Sequence, residues 1–372
     1  MATFIEVLDS SGDGPRLAVK DLIDVEGVPT TAGSRAQAAI AGPAAADAPC
    51  VAVARAAGAR IVGKTNLHEL AYGASGINPW FGTPENPLDA SRVPGGSSSG
   101  SAVAVATGQA DVALGTDTGG SVRLPSACCG TAGLKTTFGR IPTAGVWPLA
   151  QSLDTIGPMA ADVAGVVLGM SLLEDGFAPS PVDGRRPRVG RIRNVVALDP
   201  VVDEAVDRAL AAAEVDVIDV TLPGWQASMG AFMVLIATEA WVNDAPLLAR
   251  DPDGIGADVT TLLRAGSALG GAEIRAARAA AVAWRAEVAA ALADVDALAL
   301  PTLPTFPPRL DEDPGSMILH TAAVNVAGNP ALVLPVPAGG PLPASLQLIG
   351  PWYGEEQLVA LGARVEAAVA TR

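Results

Sequence analysis

The stretch VPGGSSSGSAVAVATGQADVALGTDTGGSVRLPSACCG, Val93–Gly130, decides how the rest of the chain is read. Two Gly/Ser clusters bracket an apolar helix expected over Ser101–Ala106 and a short strand expected over Asp111–Leu114. On composition alone GGSSSGS would pass for a surface loop or linker. A phosphate cradle fits poorly, because no lysine follows as in a P-loop and no GxGxxG stands here with an acidic residue about 20 positions on. The helix and strand between the clusters change the reading, since they draw both turns into a packed core. Gly119 and Gly120, directly before Ser121, let the backbone fold tightly enough for several N–H groups to converge on one point. That arrangement stabilises a developing oxyanion, with a serine nucleophile at its edge.

The 372 residues, 49% apolar and 17% charged, are enough for a large buried core, and the net charge of −15 opposes binding to nucleic acid or to anionic lipid. The N-terminus lacks the basic flank and apolar core of a secretory signal, and no apolar run approaches the roughly 20 residues of a membrane helix. Cys50, Cys128 and Cys129 are an odd number without framework spacing, which suits a reducing, cytoplasmic setting and small buried thiols. With two histidines, His68 and His320, and no CxxC pair, a metal site is not expected. His68 in NLHELAY begins like HExxH, but Tyr72 stands where the second ligand should be, so it reads as structural.

Outward from the central stretch, apolar runs alternate with helical ones. RLAVKD reads as a strand, APCVAVARAAG as a helix closed by Gly58, and Ala59–Gly63 as a strand delivering Lys64 at its end. Downstream, helices are expected over Asp162–Glu174, Pro200–Glu214, Gly271–Asp294, MILHTAAVNVAG and Glu355–Thr371, with strands in RPRVGRI, VDVIDVTLP, ALALP, ALVLPV and ASLQLIG. No period recurs and no polar linker divides the chain. The expectation is a single α/β domain over residues 1–372, with a mixed central sheet covered by helices on both faces and a catalytic core at about 60–160.

A serine nucleophile needs a base, and with histidine nearly absent the candidate is a lysine kept neutral by burial. Lys64 follows the apolar RIVG, although a lysine at a strand end can also be an ordinary surface charge. At this point GGSSSGSAVAVATGQADVALGTDTGGSVRLPS resembles the signature of the amidase signature family of serine hydrolases. AVKDLIDVEGVPTTAGS and GKTNLHE lie upstream in the same order, GLKTTFGRIP, SLDTIGPMA, NVAGNPALVLPV and PASLQLIG downstream, so the resemblance covers nearly the whole chain.

The resemblance implies Ser121 as nucleophile, Ser97 as bridging serine and Lys64 as base. It also implies oxyanion-hole amides from Thr118, Gly119, Gly120 and Ser121, and a cis peptide bond between Gly96 and Ser97. Tyr72, Gly73, Ala74 and Ser75 fall where the family has a loop near the acyl group. Asp117 and Arg123 read as loop-ordering partners, and Trp147, Trp241 and Trp352 as aromatic pocket candidates. Compared with the family, the chain begins almost directly at RLAVKD, without the family's N-terminal helices. The implied function is cofactor-free, metal-free hydrolysis of a small carboxamide through a Ser-Ser-Lys triad and an acyl-enzyme, in a chain that leaves room for a homodimer. The alternatives are the A-type subunit of a glutamyl-tRNA amidotransferase and a non-enzymatic amidase-like interaction module.

Overall fold

A computed structural model describes residues 2–180, 185–193 and 195–370. Eleven strands form a single mixed sheet: β1 (Phe4–Val7), β2 (Arg16–Lys20), β3 (Arg60–Thr65), β4 (Val112–Asp117), β5 (Ala132–Lys135), β6 (Thr155–Ala160), β7 (Arg188–Ile192), β8 (Asp216–Val220), β9 (Ala297–Pro301), β10 (Ala331–Val336) and β11 (Ala344–Ile349). Their order is β1-β3-β2-β4-β6-β5-β10-β11-β9-β7-β8. β2 runs parallel to both β3 and β4, and β7 parallel to both β8 and β9, while the strands from β4 through β6, β5, β10 and β11 to β9 pair antiparallel.

The alternation of side chains along these strands fills a core on each face. In β9, Ala297 and Ala299 join one hydrophobic layer, with the helices Val163–Leu173, Pro200–Ala212 and Glu355–Ala370. Leu298 and Leu300 join the other, with the helices Trp225–Arg250, Ala257–Ser267 and Gly271–Leu292. A strand buried on both faces reads as an uninterrupted apolar run, which is why ALALP and ALVLPV show no polar alternation. The fold is the expected sheet with helices on two faces.

Helix starts follow capping chemistry. Asp162 accepts the Gly165 N–H at 2.7 Å, and Asp199 accepts the Val201 N–H at 2.8 Å ahead of Pro200 at the first turn. The segment read as one helix over MILHTAAVNVAG divides into a 3₁₀ turn, Pro314–His320, and a short α-helix, Ala322–Ala327. Thr321, between them, donates its hydroxyl to the Gly119 carbonyl at 2.6 Å and so ties the loop that carries Ser121. The closing helix is Glu355–Ala370; Thr371, at its expected end, lies outside the described residues.

The helix Trp225–Arg250, which the sequence patterns did not single out, is long and apolar enough by length and composition to cross a membrane. Half of its most apolar window is buried, it packs against both Ala257–Ser267 and Gly271–Leu292, and it carries the buried acid Asp244. These features fit a core helix.

Candidate active site

β2 lies between β3 and β4. Alternation sends Leu17 and Val19 into one layer and Ala18 toward the helix Ser99–Ala106, and Lys20 shares the parity of Ala18. The Lys20 Nζ donates to Ser97 Oγ at 2.7 Å and to Thr116 Oγ1 of β4 at 2.8 Å. Lys20 and Ser97 are fully buried. Burial brings the lysine down to about 7, although Asp117 and Asp154 pull the other way.

Lys64, the lysine that the sequence placed against Ser97, lies elsewhere. It stands beside Val19 in the parallel register, so it points to the face opposite Lys20. There it forms an ion pair with Asp21 Oδ1 at 2.9 Å and donates to Thr30 Oγ1 at 3.0 Å. Asp21 is tied further by the Thr31 N–H at 3.1 Å and by the Thr31 hydroxyl. The assignment of Lys64 to Ser97 is therefore corrected to Lys20, and the site begins at β2 rather than near residue 60. RLAVKD carries half of the signal, since both lysines end apolar strands; that the β2 lysine adjoins β4, the strand that leads into the loop of Ser121, is set by the sheet order.

The Gly96–Ser97 peptide bond is cis. The Gly96 N–H donates to the Ala74 carbonyl at 2.6 Å, and the Ser97 carbonyl accepts the His68 N–H at 2.9 Å. The Ser98 N–H in turn reaches the Ser121 carbonyl at 3.2 Å, which holds the two Gly/Ser turns together. Ser121 is 8% exposed, and its hydroxyl has no protein partner among the described residues.

Asp117, at the end of β4, organises the loop that carries Ser121. Its carboxylate accepts the amides of Gly120 at 2.9 Å and Val122 at 3.2 Å and pairs with Arg123 at 2.8 Å. Burial alone would raise this carboxyl, but the Arg123 guanidinium holds it well below the usual range. Arg123 extends the network to Gln347 at 2.7 Å, Asn325 at 2.6 Å and the Thr321 carbonyl at 3.0 Å. The loop-ordering reading of this pair holds.

Because the Gly120 N–H is committed to Asp117, it is not available to an oxyanion, contrary to expectation. The amides of Thr118, Gly119 and Ser121 have no acceptor among the described residues and remain as the candidate donors. Thr118 is fixed from below, its hydroxyl donating to Asp154 Oδ1 at 2.6 Å. Burial lifts the Asp154 carboxyl to about 6, while it accepts the Leu149 and Ala150 amides at 3.1 Å. Above the loop, a Cβ on Gly119 would stand 2.5 Å from Phe232 Cζ of the helix Trp225–Arg250, so Phe232 covers the turn that carries Ser121.

The loop Tyr72–Ser75 lies beside these elements. Ala74 holds Gly96 as described, Gly73 packs against the His68 ring, and Ser75 Oγ is 3.3 Å from His68 Nδ1. His68 Nε2 is 3.2 Å from Asp258 Oδ2, so the imidazole props the loop against the helix Ala257–Ser267. Tyr72 is buried, with a hydroxyl that no described residue binds. Of the three tryptophans, Trp147 reaches Asp244 through its ring N–H at 3.0 Å. Trp241 packs against Gly266, and Trp352 is 43% exposed with its ring N–H on the Ala327 carbonyl at 3.1 Å, so neither joins the site. Among the described residues no group of three His, Cys, Asp or Glu is placed to hold a metal ion.

The family model for amidases matches residues 14–359. A curated relative, the A-type subunit of glutamyl-tRNA(Gln) amidotransferase from Halobacterium salinarum, is 37% identical over 96% of both chains. The protein of the same name from Thermus thermophilus is 37% identical over 95% of this chain and 84% of its own. A solved structure of an amidase superposes with a TM-score of 0.88 at 34% identity, covering 95% of this chain and 84% of the other. That of the corresponding glutamyl-tRNA(Gln) amidotransferase chain from Thermotoga maritima superposes with 0.83 at 28% identity, covering 98% and 86%. With a family model spanning almost its whole length, and relatives above 30% identity end to end, the chain belongs to the amidase family of hydrolases.

Proposed function

We propose that this chain cleaves the C–N bond of a carboxamide through an acyl-enzyme on Ser121, with Ser97 as proton relay and Lys20 as the base. The observation that carries the reading is the 2.7 Å contact of a fully buried lysine, lowered to about 7, with Ser97 Oγ. Neutral Lys20 takes the Ser97 proton as Ser97 takes that of Ser121, and the Ser121 oxygen adds to the carbonyl carbon. The amides of Thr118, Gly119 and Ser121 receive the oxyanion. As the intermediate collapses, the proton returns through Ser97 to the departing nitrogen, which leaves as a neutral amine or ammonia. Water then adds to the acyl-enzyme with its proton taken by the same relay, and the acid is released.

The relatives named as A-type chains of glutamyl-tRNA(Gln) amidotransferase favour a second reading built on the same chemistry. In it the carboxamide is that of glutamine and the ammonia is passed to a partner subunit. Intact mass after a fluorophosphonate probe, on the parent and on Ser121→Ala, Ser97→Ala and Lys20→Met, tests the shared chemistry. An adduct lost in the first variant and slowed in the others supports it; a folded parent without an adduct refutes it. Ammonia release from glutamine that appears only with a partner subunit selects the second reading, and cleavage of simple amides by the chain alone selects the first.

A further inference from the structure

Thr118 and Gly119 carry two of the three candidate oxyanion donors, yet both lie beyond the end of β4 at Asp117. What holds them comes from the neighbouring strand. β6 pairs antiparallel with β4, with Thr155 opposite Asp117. The Thr155 hydroxyl donates to the Asp117 carbonyl at 2.8 Å, and the Asn325 side-chain amide donates to the same oxygen at 3.0 Å. In a planar trans peptide the N–H points away from the carbonyl, so these two contacts set the direction of the Thr118 N–H.

The residue before Thr155 acts on the other end of Thr118. Asp154 is buried, and its carboxylate takes three donors: the Thr118 hydroxyl at 2.6 Å and the Leu149 and Ala150 amides at 3.1 Å. An ionised carboxylate, which only accepts, can hold all three at once. The turn Leu149–Asp154 is fastened in its own right to the helix Trp225–Arg250. Ser152 donates its N–H and its hydroxyl to Glu239 at 2.9 and 2.6 Å, and the Asn243 side chain donates to the Leu149 carbonyl at 3.0 Å. The same helix sets Phe232 against Gly119. Asp154 is thus a hydrogen-bonded link between Thr118 and a turn braced by this helix.

We propose that Asp154 is a positioning residue for the reaction: by holding the Thr118 hydroxyl it fixes the backbone from which the Thr118 and Gly119 amides meet the oxyanion. The assignment rests on the reading of Ser121 as the nucleophile. Asp154 acts through Thr118 and not on the substrate. Negative charge reaches the oxyanion only as the Ser121 oxygen adds, so a displaced donor slows the bond-forming step and leaves the preceding binding step unchanged.

The test separates these two steps in the labelling of Ser121 by a fluorophosphonate, as KI for binding of the reagent and kinact for its attachment, at pH 8. Thr118→Val removes the hydroxyl while keeping the shape of the side chain and the charge of Asp154. It should lower kinact by about 10–100-fold with KI within about twofold of the parent. Asp154→Ala should show a similar loss. Asp154→Asn can turn its oxygen to the Leu149 and Ala150 amides and its NH2 to the Thr118 hydroxyl, and should recover most of that loss. If Asp154→Ala does not fold, Thr118→Val, in which Asp154 keeps both turn amides, decides alone. Parental kinact in Thr118→Val, a loss carried by KI, or an Asp154→Asn variant no faster than a folded Asp154→Ala overturns the assignment while leaving Ser121 as nucleophile. A folded parent that takes no label overturns the Ser121 reading, and this assignment with it.

Discussion

Replacing Lys20 by methionine separates the lysine that the structure places at Ser97 from the one that the sequence suggested. Lys20 lies at about 7, so it is about one-tenth neutral at pH 6 and about nine-tenths neutral at pH 8. A base that must be neutral to act gives a kcat/KM that rises about tenfold per pH unit below 7 and levels off above it. Lys20→Met removes the base and should lower kcat/KM by about 10²–10⁴-fold, equivalent to about 3–5 kcal/mol of barrier. The same variant should be harder to unfold. The unfolded chain holds the lysine proton between pH 7 and 10.5 and the folded chain does not, so stability rises with pH across that window and the buried lysine costs the fold about 5 kcal/mol at neutral pH. Methionine of similar length carries no such cost. The assays are amide hydrolysis and the rate of fluorophosphonate labelling from pH 5.5 to 8.5, with urea unfolding at pH 7. A flat parent profile, or a Lys20→Met variant labelled at the parental rate while Lys64→Met is silent, would refute the assignment of the base.

The other expectations address stability and loop geometry. Lys64→Met leaves the buried Asp21 carboxylate without its 2.9 Å partner and should destabilise the chain by about 3–5 kcal/mol in urea unfolding, with labelling per folded molecule within about tenfold of the parent. Asp117→Asn should slow Ser121 labelling and lower the unfolding midpoint, because Arg123 loses its counter-charge and the Gly120 and Val122 amides their anionic acceptor; parental values in both assays would contradict this. Gly119→Ala should also slow labelling, since its methyl would stand 2.5 Å from Phe232, and a second change, Phe232→Leu, should restore part of the rate by opening that space. His320 is pushed down to about 4 by burial, with its Nδ1 on the Pro301 carbonyl at 2.8 Å. The unfolded chain therefore takes up that proton first as pH falls from 6.5 to 4, and His320→Phe should remove about 3 kcal/mol of the acid destabilisation in that window, read as the difference between two urea series.

What could be read in the sequence was what lies contiguous along it, and what could not was set by which neighbour a strand or helix acquires. The Gly/Ser turns, the spacing of Ser97 and Ser121, and the ordering role of Asp117 and Arg123 are all within Val93–Gly130, and most strands downstream announce themselves as apolar runs. The two lysines illustrate the limit. Lys20 and Lys64 each end an apolar strand, and a single step of strand parity puts one beside Ser97 and the other beside Asp21. That parity becomes decisive only once β2 is known to lie between β3 and β4. Gly120 shows a second limit: its type signals a tight turn, with φ at +132°, but whether its N–H faces a ligand depends on where the Asp117 carboxylate sits. Asp244 shows a third, because WVNDAPLLAR belongs to the helix that the sequence patterns did not single out. It becomes conspicuous only when Trp147, Glu69 and Asp154 are brought around it from segments 90 or more positions away. The candidate nucleophile is thus carried by a local motif, while the partner of Ser97 depends on the long-range order of the strands. Substitutions at Lys20 should therefore lower kcat/KM for every amide by a similar factor, and a loss confined to one amide would contradict its reading as the base.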